Sequence, residues 1–186
     1  MFVAADIPES VRDRLDLDLS PLRERLSGAR WVPQENWHLT LRFVGAVWPR
    51  LVDDVRSAVG AVAVAHEPFE TRLAAVGAFP SGRRARVVWA GFDDSDGRIG
   101  AIASRLDAVL AEFAKPEDRP FAPHLTVARL RTPVSVDEEL KALSGVASDP
   151  FLLEHIVLYR SHLRRPHPIY EPVEAFRLGK EPQPGR

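Results

Sequence analysis

The sequence predicts an α+β fold: two pseudo-symmetric lobes of mainly antiparallel sheet, helices on the outside, and a central cleft. Three observations predict it. The tetrapeptide His38-Leu39-Thr40-Leu41 returns as His124-Leu125-Thr126-Val127 about half a chain later. Each copy lies in an apolar run that reads as a strand, residues 37–44 and 121–130. Strand and helix patterns alternate around both copies, in the order β-α-β-α-β-β-α-β-α-β-β. No Pro/Gly/Ser linker divides the chain at its middle, so the lobes should pack as one bilobed domain over residues 1–180. Residues 181–186, with two prolines, read as a flexible tail.

Residues 2–7 form a short apolar strand, and Pro8 suits a first helical turn, where its missing N–H is no loss. Val11, Leu15, Leu19, Leu22 and Leu26 recur at helical spacing. Ser20-Pro21 interrupts that helix, and Gly28 stops it. A short strand over 30–32 and a turn over 33–36 lead to the first His-x-Thr strand, which Gly45 ends. Pro49 opens a second helix with Leu51, Val52, Val55, Val59 and Val62 on one face, running to about residue 66. Residues 69–79 read as one strand, 80–84 as a basic loop and 86–91 as another strand. Asp93 to Asp96 is a polar turn suited to capping a helix, which carries Ile99, Ile102, Leu106, Val109, Leu110 and Phe113. A charged loop over 115–120 precedes the second His-x-Thr strand. A helix over 136–146, a long strand over 151–159, a His/Arg/Pro-rich loop over 161–168 and a last strand over 169–178 complete the pattern.

Composition narrows the function. A formal charge of −1 argues against a globally basic protein that coats nucleic acid. Arg outnumbers Lys, and Arg suits planar phosphate contacts, so basicity can be local. With no Cys, disulfides, thiolate metal sites and a Cys nucleophile are excluded. The first residues lack the basic region and long apolar run of a signal peptide, and 58–65 is too short to span a bilayer. The expected location is the cytoplasm, with no membrane association.

The repeated tetrapeptide carries the chemistry. Side chains alternate faces along a strand, so His38 and Thr40 share one face while Leu39 and Leu41 point into the core. His124 and Thr126, opposed by Leu125 and Val127, repeat the arrangement. Two such strands facing one cleft present two imidazoles and two hydroxyls to a single group. A phosphodiester attacked in line needs a base on one side of phosphorus and an acid on the other. Imidazole serves as either near neutral pH, and each Thr hydroxyl can donate to a non-bridging oxygen. The rival use, two His and a third ligand on zinc, finds little support. His66, His155, His162 and His167 form no ligand cluster, and Thr is a poor zinc ligand. No metal and no cofactor are expected.

With these residues the chain resembles the two-histidine phosphoesterase superfamily, whose signature is a doubled His-x-Thr-x. Within it the chain is similar to the bacterial and archaeal RNA 2′,3′-cyclic phosphodiesterases, also called 2′-5′ RNA ligases. The flanking segments carry that finer resemblance: Phe2-Val3-Ala4-Ala5-Asp6-Ile7-Pro8, Trp31-Val32-Pro33, Asn36-Trp37, Arg42-Phe43-Val44-Gly45, Gly77-Ala78-Phe79-Pro80, Arg86-Val87-Val88-Trp89, Phe121-Ala122-Pro123, Ala128-Arg129 and Tyr170-Glu171-Pro172. The resemblance implies hydrolysis of a terminal 2′,3′-cyclic phosphate to a 2′-phosphomonoester. It implies that His38 donates a proton to the 3′ oxygen, His124 accepts one from water, and Thr40 and Thr126 hold the phosphate. The near-symmetric sequence cannot itself assign the two His roles. Run backwards, with an RNA 5′-hydroxyl in place of water, the site would form a 2′-5′ linkage. The implied partner is RNA with a 2′,3′-cyclic phosphate end, tRNA fragments among the candidates, and a monomer is expected.

Phe43 and Arg129 each lie five residues after their His, where a ring and a guanidinium could sandwich a base. Strict alternation puts both on the wrong face, so this requires a bulge or a strand end. Arg42 is counted with them as a substrate contact. Arg83, Arg84 and Arg86, and Arg160, Arg164 and Arg165, are candidate RNA backbone contacts or solvated loops. Two other functions stay open: turnover of a small nucleotide or ADP-ribose cyclic phosphate, and a module that binds RNA ends without turning them over.

Overall fold

A computed structural model describes residues 1–117 and 119–180. The tail expected over 181–186 lies outside the described residues. Strand β1 (Phe2–Asp6) leads to helices α1 (Glu9–Asp18) and α2 (Ser20–Arg25), then β2 (Arg30–Trp31) and β3 (His38–Phe43). Helix α3 (Val52–Val64) is followed by β4 (Phe69–Thr71), β5 (Leu73–Phe79) and β6 (Ala85–Phe92). Helix α4 (Arg98–Val109), β7 (His124–Val134), α5 (Asp137–Ala142), β8 (Phe151–Leu153), β9 (His155–His162) and β10 (Ile169–Arg177) complete the order.

Two four-stranded antiparallel sheets form the lobes, β10-β9-β1-β3 and β2-β7-β6-β5. The register reveals the internal symmetry. Asp6, Ala4 and Phe2 oppose His38, Thr40 and Phe43 in one sheet, while Gly91, Trp89 and Val87 oppose His124, Thr126 and Arg129 in the other. Phe2 also opposes Tyr159, as Val87 opposes Phe79. So β1 corresponds to β6, β3 to β7 and β9 to β5. Strands β3 and β7 lie side by side where the two sheets meet.

Leu39, Leu41, Leu125 and Val127 are buried in one core cluster that runs through both lobes, with Ile102 and Leu106 of α4 among its members. Burying each such side chain is worth roughly 1.5–3 kcal/mol. A one-residue slip of either strand would turn its pair out of the core, so these four positions pin the register that aims each His and Thr. Phe2, Ala4 and Val157 are also buried but lie outside that cluster. They belong to the opposite face, which floors the cleft. Strand β1 is therefore apolar at four successive residues because both of its faces are covered.

Local signals behave as their chemistry dictates. Pro8 precedes α1, and its carbonyl accepts from the N–H groups of Val11 and Arg12. Pro21 starts α2 and separates it from α1. The Asp94 carboxylate accepts from Ile99 and Gly100 at the start of α4, at 2.7 and 2.9 Å. Pro172 is tolerated because β10 is an edge strand.

Two expected strands are each divided. The run 69–79 breaks at Arg72, whose carbonyl accepts from Asp93, and the run 151–159 breaks at Glu154, whose carbonyl accepts from Leu178. The outer pieces, β4 and β8, pair with each other as a separate ribbon. Hydrophobic period marks a strand and is blind to a change of partner along it. The helix expected over 136–146 is shorter, and β7 runs on past residue 130 to Val134.

Candidate active site

Each histidine is held in the same way by its own chain. The His38 Nδ1–H donates to the Asn36 carbonyl at 2.9 Å, and the His124 Nδ1–H donates to the Ala122 carbonyl at 2.7 Å. A carbonyl can only accept, so Nδ1 must carry the proton. That choice of tautomer leaves Nε2 as the reactive nitrogen on both rings. The 3₁₀ turn over Gln34–Asn36 places the first carbonyl. The extended segment before β7 places the second.

Aromatic rings set the position of each imidazole. The His38 ring stacks on Phe2, with centroids 4.9 Å apart, and meets the edge of Tyr170 at 5.2 Å. Tyr159 stands behind them, 5.3 Å from Phe2. His124 meets Phe79 edge-on at 5.2 Å, with Trp89 6.5 Å away. The Trp89 indole has room because its neighbour across the sheet is Gly77, where any Cβ would fall 2.2 Å from a ring carbon. Burial among the rings pushes His38 below the usual imidazole range, while the Asn36 carbonyl and the Asp6 carboxylate pull the other way. Tyr159 donates to Asp6 Oδ1 at 2.7 Å. Burial, chiefly, then this bond, holds the phenol protonated well above its ordinary range.

Thr40 and Thr126 share the faces of their histidines and are half-buried. Phe43 and Arg129 do too, because a bulge intervenes in each strand. In β3, Thr40 opposes Ala4 and Arg42 opposes Val3, leaving Leu41 without a partner. In β7, Thr126 opposes Trp89 and Ala128 opposes Val88, leaving Val127 without one. One extra residue restores the phase, so Phe43 and Arg129 return to the histidine face. Phe43 is 59% exposed and lies 6.1 Å from Phe2. Arg129 lies opposite Arg30 on β2.

Arg42 is a correction. The same bulge turns it into the core, where it is 3% exposed. Its guanidinium pairs with Asp107 of α4 and with Glu117, both at 2.9 Å, and donates to the Lys115 carbonyl at 2.6 Å. Arg42 thus ties the first motif strand to the segment that leads into the second, and stands apart from the cleft residues.

The two basic loops differ. Arg83 pairs with Asp137, and Arg84 and Arg86 are exposed beyond the Phe79 end of β5. The loop carrying Arg164 and Arg165 is tied down beside the Arg129 strand: Arg30 donates to the Pro166 carbonyl, and Asn36 donates to the Pro168 carbonyl at 3.1 Å. Among the described residues no three His, Asp or Glu side chains gather as a metal site, and no helix is long and apolar enough to cross a membrane. Sequence reasoning gave no role to Asp6, Phe2, Phe79, Trp89, Tyr159 or Tyr170. The alternation of β1 outward from Phe2, read against the His-x-Thr strand, was the signal available for the first two.

Comparison with known proteins agrees with this geometry. The family model described as the 2′-5′ RNA ligase superfamily matches residues 8–165. The RNA 2′,3′-cyclic phosphodiesterase of Methanothermobacter thermautotrophicus is 31% identical over 180 residues, covering 95% of this chain and 97% of the relative. That of Thermus thermophilus is 31% identical over 188 residues, covering 97% and 91%. The crystal structure of the Thermus thermophilus protein TT0787 matches with a TM-score of 0.79 at 30% identity, over 97% of this chain and 98% of that one. E. coli LigT complexed with 3′-AMP, 23% identical with a TM-score of 0.72 over 96% of this chain and 97% of that one, shares the fold. A family match over most of the length, relatives of nearly equal size and a doubled His-x-Thr built into matching bulged strands lead to one conclusion: the chain belongs to the 2′-5′ RNA ligase superfamily.

Proposed function

We propose that this enzyme hydrolyses RNA 2′,3′-cyclic phosphate ends to 2′-phosphomonoesters, using its two histidines as acid and base and no metal. The observation that supports the reading is the matched pair of Nδ1–H bonds to backbone carbonyls, which leaves Nε2 as the free nitrogen of each ring. His124 Nε2 takes a proton from water as the water oxygen bonds to phosphorus. His38 Nε2–H gives a proton to the 3′ oxygen as the P–O3′ bond breaks. Thr40 and Thr126 donate to the non-bridging oxygens and hold phosphorus between the rings. Phe43 and Arg129 flank the terminal base. With an RNA 5′-hydroxyl in place of water, the same in-line attack forms a 2′-5′ linkage as the P–O3′ bond breaks, and the strained cyclic ester supplies the driving force. The enzyme works as a monomer in the cytoplasm, on RNA ends such as those of tRNA fragments.

The test is an oligonucleotide ending in a 2′,3′-cyclic phosphate, incubated with the protein and a chelator. The expected product keeps its phosphate on the 2′-hydroxyl. His38→Ala and His124→Ala should each lose roughly 10²- to 10⁴-fold in kcat while remaining folded. Full turnover by either variant, or turnover that stops with chelator, defeats the reading.

A further inference from the structure

The two halves differ at the position directly across the sheet from each histidine. Opposite His38 stands Asp6. Opposite His124 stands Gly91, with the Trp89 ring packed 2.9 Å from where a Cβ would be. Residues paired in this way carry their Cβ atoms about 4.5–5.5 Å apart. One imidazole therefore has a carboxylate beside it, and the other has a carbon-free position closed off by an indole.

The carboxylate is oriented. Tyr159 donates to its Oδ1, and the phenol ring is itself fixed by stacking on Phe2. Among the described residues no Lys or Arg pairs with Asp6, so its charge is not cancelled by a direct contact. The groups that face His38 come from several elements. Asp6 is on β1, Tyr159 on β9 and Tyr170 on β10. Arg12 of α1 lies near Tyr159, and Arg30 and Arg129 lie near Tyr170. Asp6 is the anion among them, and its effect on His38 opposes that of burial.

We propose that Asp6, held by Tyr159, is a positioning residue that makes His38 the proton donor of the pair, by stabilising its imidazolium beside the bound phosphate. This rests on the acid–base function proposed above and resolves the asymmetry that two near-identical motifs leave open. An aromatic pocket alone favours neutral imidazole. A carboxylate on one side and a phosphodiester on the other restore the charged form at the moment a proton must be given. His124 has no carboxylate opposite it in the sheet and takes the accepting role.

The test uses Asp6→Asn and Tyr159→Phe in the full chain, with each histidine's titration followed by NMR, with and without inorganic phosphate. Asp6→Asn should lower the midpoint of His38, since it removes a carboxylate that favours the charged ring, and leave that of His124 in place. Tyr159→Phe should move His38 in the same direction by less. The optimum of a bell-shaped rate profile lies midway between its limbs, so it should fall in Asp6→Asn, with kcat reduced and KM changed less than twofold. Asp6→Glu should recover part of the loss. An unmoved His38 midpoint, or a moved midpoint with an unmoved optimum, overturns the assignment. Absence of turnover by the unsubstituted protein would instead strike the proposed function, which the titrations do not touch.

Discussion

Leu41 and Val127 are equivalent: each is the unpaired residue of a bulge three positions after its histidine. Both are buried in the shared core. The bulge lets two successive residues point inward, Leu41 with Arg42 and Val127 with Ala128, and then returns the chain to the opposite face. Without it, Phe43 and Arg129 would sit beneath the sheets, away from the cleft.

Because the bulges bring Phe43 and Arg129 to the histidine face, both should hold the terminal base and take no part in proton transfer. Arg129→Ala and Phe43→Ala should each raise KM for a cyclic-phosphate-ended oligonucleotide roughly tenfold, since stacking on a base is worth about 1–3 kcal/mol. The value of kcat should stay within a few-fold. Steady-state kinetics on both variants check this, and an unchanged KM in both removes the base from that part of the cleft.

Thr40 and Thr126 should act on the phosphate itself. Hydrogen bonds to a charged group are worth about 1.5–3 kcal/mol. Thr40→Val or Thr126→Val, which keep shape and lose the hydroxyl, should therefore each lower kcat/KM by roughly 10- to 100-fold. Measuring both on one substrate also tests the symmetry. Losses that differ by more than tenfold would mean that one hydroxyl does most of the holding.

The fold class and the four motif residues were legible because period-two alternation and a doubled tetrapeptide are local patterns. The phase of Phe43 and Arg129 was not, since a bulge is a property of two paired strands and nothing in Leu41 or Val127 announces it. Arg42 was misjudged for the same reason. An arginine beside a catalytic strand suggests substrate, whereas its partners Asp107 and Glu117 come from elements far along the chain. The breaks at Arg72 and Glu154 likewise depend on which strand lies alongside. Asp6 falls inside the strand expected over residues 2–7, and its relation to His38 needed the register.

His38 should leave a mark on stability against pH. Burial lowers its folded-state pKa below the unfolded value of about 6.5. Between the two values the unfolded chain binds more protons, so stability falls as pH drops through about 6.5 and levels off below the folded value. Urea midpoints measured from pH 8 to 5 should show this loss. His38→Gln should remove part of it, and millimolar phosphate should reduce it by favouring the charged ring. Identical pH profiles for the two proteins would mean that burial of His38 has no energetic consequence.

Arg42 should matter for stability more than for binding. Arg42→Met keeps the aliphatic stem and removes both ion pairs and the bond to the Lys115 carbonyl. Asp107 and Glu117 are about half-exposed and can turn to water, so the cost should be about 1–3 kcal/mol, at about 2–4 °C of Tm for each kcal/mol. KM for the cyclic phosphate should change little. A normal Tm with a raised KM would return Arg42 to the substrate.

Gly77 should be the most sensitive position on the His124 side that never touches substrate. A methyl there would sit 2.2 to 2.7 Å from three atoms of the Trp89 indole, a rigid ring that cannot fold its end away. Gly77→Ala should therefore push the indole towards Phe79 and His124 and cost about 1–3 kcal/mol in strain. The displacement should appear as a change in indole fluorescence that is absent when Trp89→Phe is combined with it. It should lower kcat as well, because the face that steadies His124 has moved. Wild-type fluorescence, Tm and turnover in Gly77→Ala would show that the indole has freedom these contacts deny it.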